Sequence, residues 1–75
     1  MEIKQIHHSD ALIRFSTAEL LILNNALNEV CNALDVTEFS TRMGAELKDV
    51  RNLLRQIGKV LDAQEQQLKK NKTAK

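Results

Sequence analysis

Several residue types that mark common protein classes are absent or rare in this sequence. It contains no proline, tryptophan or tyrosine, and only two phenylalanines, two glycines and one cysteine. A single cysteine excludes an internal disulfide, so we expect Cys31, which lies within an apolar helical pattern, to be a buried thiol in the reducing cytoplasm. So few aromatic rings disfavour stacking on single-stranded nucleic acid. No apolar run approaches the roughly 20 residues that span a bilayer, and residues 1–15 lack a signal-peptide pattern, so no membrane partner is expected.

The length of the chain limits the number of domains, and the distribution of charge indicates the charge of suitable partners. The 75 residues are enough for one domain with a small core. The net charge of +1 hides an uneven distribution: residues 17–50 carry six acidic and two basic side chains, and residues 51–75 carry seven basic and two acidic ones. The middle of the chain therefore suits a basic partner, and its end suits an acidic one.

Motifs for catalysis and for metal binding are missing. There is no glycine-rich phosphate loop, no CxxC and no HExxH. His7 and His8 are adjacent, so their side chains diverge in a strand or in a helix, and no second cluster of ligands follows them. We therefore expect a non-enzymatic protein without a metal site or cofactor, and a solvated or partly packed role for both histidines.

The segment 16–34, STAELLILNNALNEVCNAL, is the best-defined helix. Ser16 and Glu19 have the spacing of a capping box, and Phe15 with Leu20 forms the accompanying hydrophobic staple. Apolar residues cover more than half of the circumference: Leu20, Leu23, Leu27, Val30, Cys31 and Leu34 form one face, which Ile22, Ala26 and Ala33 extend. This pattern predicts a central helix that the rest of the chain surrounds.

Two further helices complete the predicted fold. The second, 36–43, repeats the capping-box spacing with Asp35 and Glu38, ends before Gly44, and turns Val36, Phe39 and Met43 inward. The third, 47–68, has helical apolar spacing and contains Gly58, which permits close approach of another backbone or a bend. We predict an extended arm or a β-hairpin for residues 1–15 and a disordered basic tail for residues 69–75. The fold class is therefore mainly α: a compact three-helix bundle over 16–68, with this arm and this tail.

The polar side of the first helix consists largely of asparagine: Asn24, Asn25, Asn28 and Asn32. Asparagine is a poor helix former, and four of them together cost on the order of 2–3 kcal/mol relative to alanine. Either one or two of them cap neighbouring backbone, or the stripe hydrogen-bonds to a partner around the apolar anchor Leu21. We expect a binding surface, with its last three residues at the rim: Leu21, Asn25, Asn28, Glu29, Asn32, Asp35, Glu38 and Arg42.

The run ELLILNNALNEVCNALDVTEFSTRMG resembles the sequences of small helical bacterial immunity proteins that are paired with contact-dependent growth inhibition toxins, including EndoU-type RNases. The resemblance covers residues 19–57. It implies an antitoxin without chemistry of its own, which binds a cognate nuclease toxin and occludes its substrate cleft. An acidic, hydrogen-bonding surface would complement a basic cleft of this kind and accelerate association.

Two alternatives remain open on the sequence. Ser40, Gly44 and Val50 have the spacing of a helix-turn-helix, in which a helix over 47–63 would present Lys48, Arg51, Asn52 and Arg55 to DNA. Glu46 and Asp49 count against this interpretation because they place negative charge near the start of that helix. The second alternative is a homo-oligomeric scaffold with a coiled-coil seam formed by Val50, Leu54, Ile57, Leu61 and Leu68.

Overall fold

The computed structural model describes the backbone of residues 1–33 and 36–73, and the side chains of residues 1–33 and 38–69. In chain order the elements are β1 (Glu2–Ile6), β2 (Ala11–Arg14), α1 (Thr17–Ala33), α2 (Val36–Met43) and α3 (Leu47–Thr73). The prediction of a mainly helical protein with three helices is confirmed. Of the two structures predicted for residues 1–15, the hairpin is the one observed.

Helix α3 is longer than predicted. It continues to Thr73, beyond the predicted end at 68 and into the predicted disordered tail that begins at 69. No glycine or proline interrupts the chain after Gly58, and the Lys69 Nζ lies 3.9 Å from the Glu65 Oε1 at helical i, i+4 spacing. Three lysines with good helix propensity and the i, i+4 pair therefore favour continuation of the helix beyond 68.

The two strands form an antiparallel hairpin with one irregularity. Ile3 pairs with Ile13, Gln5 with Leu12 and Ile6 with Ala11, so that Lys4 is the extra residue of a β-bulge. At the turn, the His7 N–H donates to the Asp10 carbonyl at 2.9 Å, and the His7 Nδ1 lies 2.8 Å from the Asp10 Oδ1. Gly44 alone has a positive φ in the described part of the chain, so the turn is neither type I′ nor type II′, the types that favour glycine.

The start of α1 has the predicted capping box. The Glu19 N–H donates to the Ser16 Oγ at 3.1 Å, and the Ser16 N–H donates to the Glu19 Oε1 at 2.8 Å. The second carboxylate oxygen of Glu19 accepts a hydrogen bond from the α-ammonium group of Met1. This ammonium group, followed by the Ser16 N–H, holds the pKa of the Glu19 carboxyl at about 2, well below its ordinary value. The same residue thus caps α1 and ties the start of β1 to it.

The core lies where the end of α1, the middle of α2 and the start of α3 meet. Phe39, Val50 and the free thiol of Cys31 are buried there, and Leu27, Val30, Met43, Ala45 and Leu47 pack around them. At the other end of the helix pair, the Thr17 hydroxyl donates to the Gln64 Oε1 at 3.0 Å. Because Cys31 lies near Val50 and Thr17 near Gln64, α1 and α3 run antiparallel. The predicted burial of Cys31 and Phe39 is confirmed, and Met43, predicted to point inward, is partly buried against them. The side chain of Val36 lies outside the described residues.

The protein is elongated. Its extents are 52 × 31 × 16 Å and its radius of gyration is 15.4 Å, against about 11 Å for a compact domain of this length. Among the described elements, α1 packs on α3 and α2 packs on α3, whereas the strands pair with each other. The three predicted helices are therefore present, but their compact packing stays a prediction.

The predicted coverage of α1 is wrong on one side. Ile22, Ala26 and Ala33 are exposed, although the sequence pattern placed them on the buried arc. The buried side of α1 is the narrower face around Leu20, Leu27 and Cys31 that meets α3. Since α2 packs on α3, no described helix covers the Ile22 side.

The two glycines have different roles, and this gives a stability prediction. Gly44 ends α2 with φ +68°, and its N–H donates to the Ser40 carbonyl at 2.8 Å. Gly58 lies within α3, and a Cβ built on it would meet no described atom from outside its own stretch of helix backbone within 4 Å, so the predicted close approach of another backbone is not observed there. We expect Gly58→Ala to raise the free energy of unfolding by about 1 kcal/mol in urea denaturation.

Gly44→Ala is the matched control for this prediction. It makes the same chemical change in a backbone conformation that alanine rarely adopts, so it should lower the free energy of unfolding by about 1–2 kcal/mol. A loss of stability in Gly58→Ala would show that α3 requires glycine at 58.

Candidate functional site

One face of α1 carries the predicted binding residues. Leu21, Asn25, Asn28 and Asn32 follow helical i, i+4, i+7 and i+11 spacing, so they lie in one row. All four side chains are exposed, and Glu29 is exposed at the edge of the row. Asn24 is half-buried towards α3 and does not belong to the row. We refer to Leu21, Asn25, Asn28, Glu29 and Asn32 as the α1 face.

The asparagine amides of the α1 face have no internal function in the described structure. No described residue forms a hydrogen bond with the side chain of Asn25, Asn28 or Asn32. By contrast, the hydroxyl of Ser16 caps the helix, and the hydroxyl of Thr17 contacts α3. The local capping role considered for these asparagines is therefore not seen among the described residues. Three exposed asparagines still cost the helix about 2 kcal/mol relative to alanine.

A groove between α1 and α3 adjoins the α1 face. Its volume is about 570 Å³, and its lining residues are Thr17, Leu21, Leu61, Asp62, Gln64, Glu65 and Leu68. Leu21 belongs both to this groove and to the row of asparagines, and Leu68 is largely exposed on the opposite wall. An apolar side chain of a partner could enter here and contact leucines from both helices.

The α3 side of this groove is not predicted by the sequence pattern. That pattern places Leu61 and Leu68 on one continuous apolar stripe, and nothing in it indicates that the stripe extends past α1 at Leu68. The predicted bounds, 16–34 and 47–68, are similar in length, so the sequence gives no signal for this extension. In the structure the 17 residues of α1 run antiparallel to the 27 residues of α3, and because the start of α3 packs on the end of α1, the end of α3 projects beyond the start of α1.

The charges around the α1 face are negative. Helix α1 contains Glu19 and Glu29 and no lysine, arginine or histidine. Asp62 and Glu65 line the groove, and Glu65 pairs loosely with Lys69. Carboxylate and amide oxygens are acceptors for lysine and arginine, so this surface is suited to a partner that presents basic groups next to an apolar side chain.

The rim residues predicted on the second helix are placed apart from the α1 face. Glu38 and Arg42 are exposed on α2 and form an i, i+4 ion pair with 3.6 Å between the Glu38 Oε2 and the Arg42 Nε. Neither side chain forms a hydrogen bond or ion pair with a described residue of α1. Such an exposed pair contributes little to stability. Asp35, the third rim residue, lies outside the described residues.

The alternative nucleic-acid-binding residues are also accessible. Lys48, Arg51, Asn52 and Arg55 are exposed on α3, and Lys59 continues their face. Over residues 38–69, none of these four cations has a carboxylate partner within ion-pair distance. Glu46 and Asp49, which flank the start of this face, are likewise exposed.

Most residues of the coiled-coil seam predicted for α3 pack against other parts of the same chain. Val50 is buried, and Leu54, Ile57 and Leu61 are half-buried in the antiparallel pair with α1. Only Leu68 of that set is exposed. A second copy would therefore have to displace α1 to use the seam.

Neither the described residues nor comparisons with known proteins indicate a site of another kind. Within the described residues there is no group of three or more His, Cys, Asp or Glu side chains that could hold a metal ion. None of the described helices combines the length and the apolar character needed to cross a bilayer. Comparison with protein-family models, with curated proteins and with solved structures found no match.

Proposed function

We propose that this protein is a non-catalytic binding module, an immunity protein that binds and occludes a cognate nuclease toxin in the bacterial cytoplasm. The observation that carries the proposal is the α1 face, where three exposed asparagines without a hydrogen-bond partner in the described chain adjoin an apolar groove. The resemblance of residues 19–57 to immunity proteins of contact-dependent inhibition systems supplies the class of partner.

To inhibit the nuclease, this surface would only have to occupy the substrate cleft, and the protein would not need to catalyse a reaction. A nuclease binds RNA through a cleft with lysine and arginine side chains. The carboxylates of Glu29 and Asp62 and the amide oxygens of the asparagines would accept hydrogen bonds from such groups, while Leu21 would bury apolar area at the centre. In binding, the three helices would act as one compact unit that presents this face.

DNA binding by α3 is the second candidate function, and the cations of its exposed face, which have no carboxylate partner over residues 38–69, support it. Exposed lysines and arginines are common on helices, however, and Glu46 and Asp49 at the start of this face repel phosphate. The α1 face offers the more specific signal, because helix propensity alone would favour other polar residues there.

The proposed function is tested by the double variant Asn28→Ala with Asn32→Ala. Its affinity for the nuclease toxin domain should fall about 30-fold, because two hydrogen bonds of about 1 kcal/mol each are lost. Its free energy of unfolding should rise by about 1 kcal/mol, since alanine is the better helix former. The probes are purified toxin nuclease domains of the contact-dependent inhibition class, EndoU-type domains first, in titration calorimetry and in an RNA-cleavage assay.

Asn52→Ala is the matched control, because Asn52 is an exposed asparagine in a helix that lies away from the α1 face. It should gain stability and retain affinity. A collapse of the melting temperature in the double variant would make the asparagines structural. Binding of a labelled DNA duplex at low salt that is lost on Arg51→Glu with Arg55→Glu would replace the proposed function with the second candidate.

A further inference from the structure

The N-terminal hairpin presents an apolar face that no described helix covers. The bulge at Lys4 places Ile3 and Ile6 on the same side of the sheet, and their pairing partners Ile13 and Ala11 lie on that side too. Ile3 is 57% exposed and Ile6 75% exposed. Both strands pair only with each other in the described structure. A two-stranded hairpin with this much exposed apolar surface is marginally stable in water.

This apolar face continues onto helix α1. A shallow groove at the base of the hairpin is lined by Met1, Phe15, Glu19, Ile22 and Leu23, and it is apolar apart from Glu19. Met1 and Ile22 are largely exposed. The hairpin and the uncovered side of α1 therefore form one apolar surface. Contiguous surfaces of this kind on small proteins mark sites of association.

The two edges of the hairpin differ in their capacity to pair. The edge of β1 is interrupted by the bulge and carries Lys4, and both features discourage strand addition. The edge of β2 is regular over ALIR and is mainly apolar. Strand addition is therefore favoured on β2.

The hydrogen-bond pattern of the hairpin identifies the backbone N–H and C=O groups of β2 that do not pair with β1. His7 and Asp10 form a hydrogen-bonded pair at the turn, so the alternation of antiparallel pairs makes Ile6 and Ala11 a non-hydrogen-bonded pair. The N–H and C=O groups of Ala11 consequently point to the open edge, and those of Ile13, two residues further on, do the same.

These free groups are self-complementary about a two-fold axis at Leu12. If two copies of β2 lie antiparallel with Leu12 opposite Leu12, Ala11 of each copy pairs with Ile13 of the other, and all four outward-pointing residues are hydrogen-bonded. Asp10 then lies opposite Arg14 of the other copy, so the flanking charges are also complementary. Shifting the register by two residues leaves at least one pair of outward groups without a strand partner.

We infer that the chain forms a symmetric homodimer through β2, in which two hairpins join into a four-stranded antiparallel sheet. The dimer takes the sheet from two strands to the three or more that independent stability requires. It doubles the apolar face that carries Ile3 and Ile6. The β2 edge shares no residue with the α1 face, so the dimer is independent of the proposed function.

Leu12→Lys tests the dimer. Leu12 is 58% exposed in the single chain, so the variant should fold with unchanged helix content. In the dimer, the two introduced ammonium groups would lie directly opposite each other and replace an apolar pair, so the dimer dissociation constant should rise at least about tenfold. Analytical ultracentrifugation over a concentration series measures it. Leu53→Lys, a substitution at a similarly exposed leucine of α3, should leave the dissociation constant unchanged.

Amide hydrogen exchange locates the contact independently. The N–H groups of Ala11 and Ile13 should be protected in the wild-type protein and exchange freely in Leu12→Lys, whereas the N–H of Ile6 on the other edge should exchange freely in both. Ala11→Pro, which removes one outward donor and no bond between β1 and β2, should weaken the dimer as well. A wild-type chain that stays monomeric over the series would overturn the inference. So would a dimer that Leu12→Lys and Leu53→Lys weaken equally, or one that is weakened only by Leu68→Lys in the α3 seam.

Discussion

Phe39→Ala is expected to unfold most of the protein at room temperature. Phe39 is 1% exposed and is the largest fully buried side chain in the described part of the chain. Removing a buried phenylalanine side chain costs about 3–5 kcal/mol, and a core of this size rarely supplies more than about 3–5 kcal/mol in total. Far-UV circular dichroism and urea denaturation should show a loss of most helical signal or a midpoint close to zero denaturant.

Phe15→Ala is the matched control, because the chain has two phenylalanines and the other one is only half-buried. Phe15 precedes the cap of α1 and lines the groove beneath the hairpin. Phe15→Ala should therefore lower the free energy of unfolding clearly less than Phe39→Ala. Equal effects of the two substitutions would mean that the meeting point of α1, α2 and α3 is not the centre of the core.

Local features of the fold could be predicted from the sequence because they depend on neighbouring residues. The capping box of Ser16 and Glu19 requires only a spacing of three, and the end of α2 requires only a glycine at 44 that can adopt positive φ. Helix α2 accordingly has the predicted bounds. The hairpin could not be distinguished from an extended arm, because the turn at His8 and Ser9 lacks the glycine that would have indicated it.

The packing of one helix on another could not be predicted from the periodicity of apolar residues. The apolar pattern of α1 indicates that Ile22 and Ala26 prefer burial, but it does not say which element is available to cover them. In the structure, α2 packs on α3 and leaves this side of α1 open. The same limit applies to the candidate site: the row of asparagines is visible in the sequence, whereas the groove beside Leu21 depends on how far α3 projects past α1.

Leu21→Lys is expected to weaken binding of the toxin nuclease domain about 100-fold or more. Leu21 is the residue shared by the α1 face and the groove, which is the position at which an apolar anchor is most effective, and anchors of this kind contribute about 2–4 kcal/mol. An introduced ammonium group would also oppose the basic groups of the partner. Because Leu21 is 47% exposed, the variant should keep its melting temperature, which differential scanning calorimetry can check alongside titration calorimetry of binding.

Leu53→Lys separates the local effect from the general effect of charge. Leu53 is 49% exposed on α3 and lines neither groove of the described structure. Both variants lose the same side chain and gain the same charge, so long-range repulsion of a basic partner changes in both of them. The excess loss of affinity in Leu21→Lys therefore measures the contact made by Leu21 itself. If the two variants lose affinity equally, the partner responds to net charge alone, and the α1 face is not the binding surface.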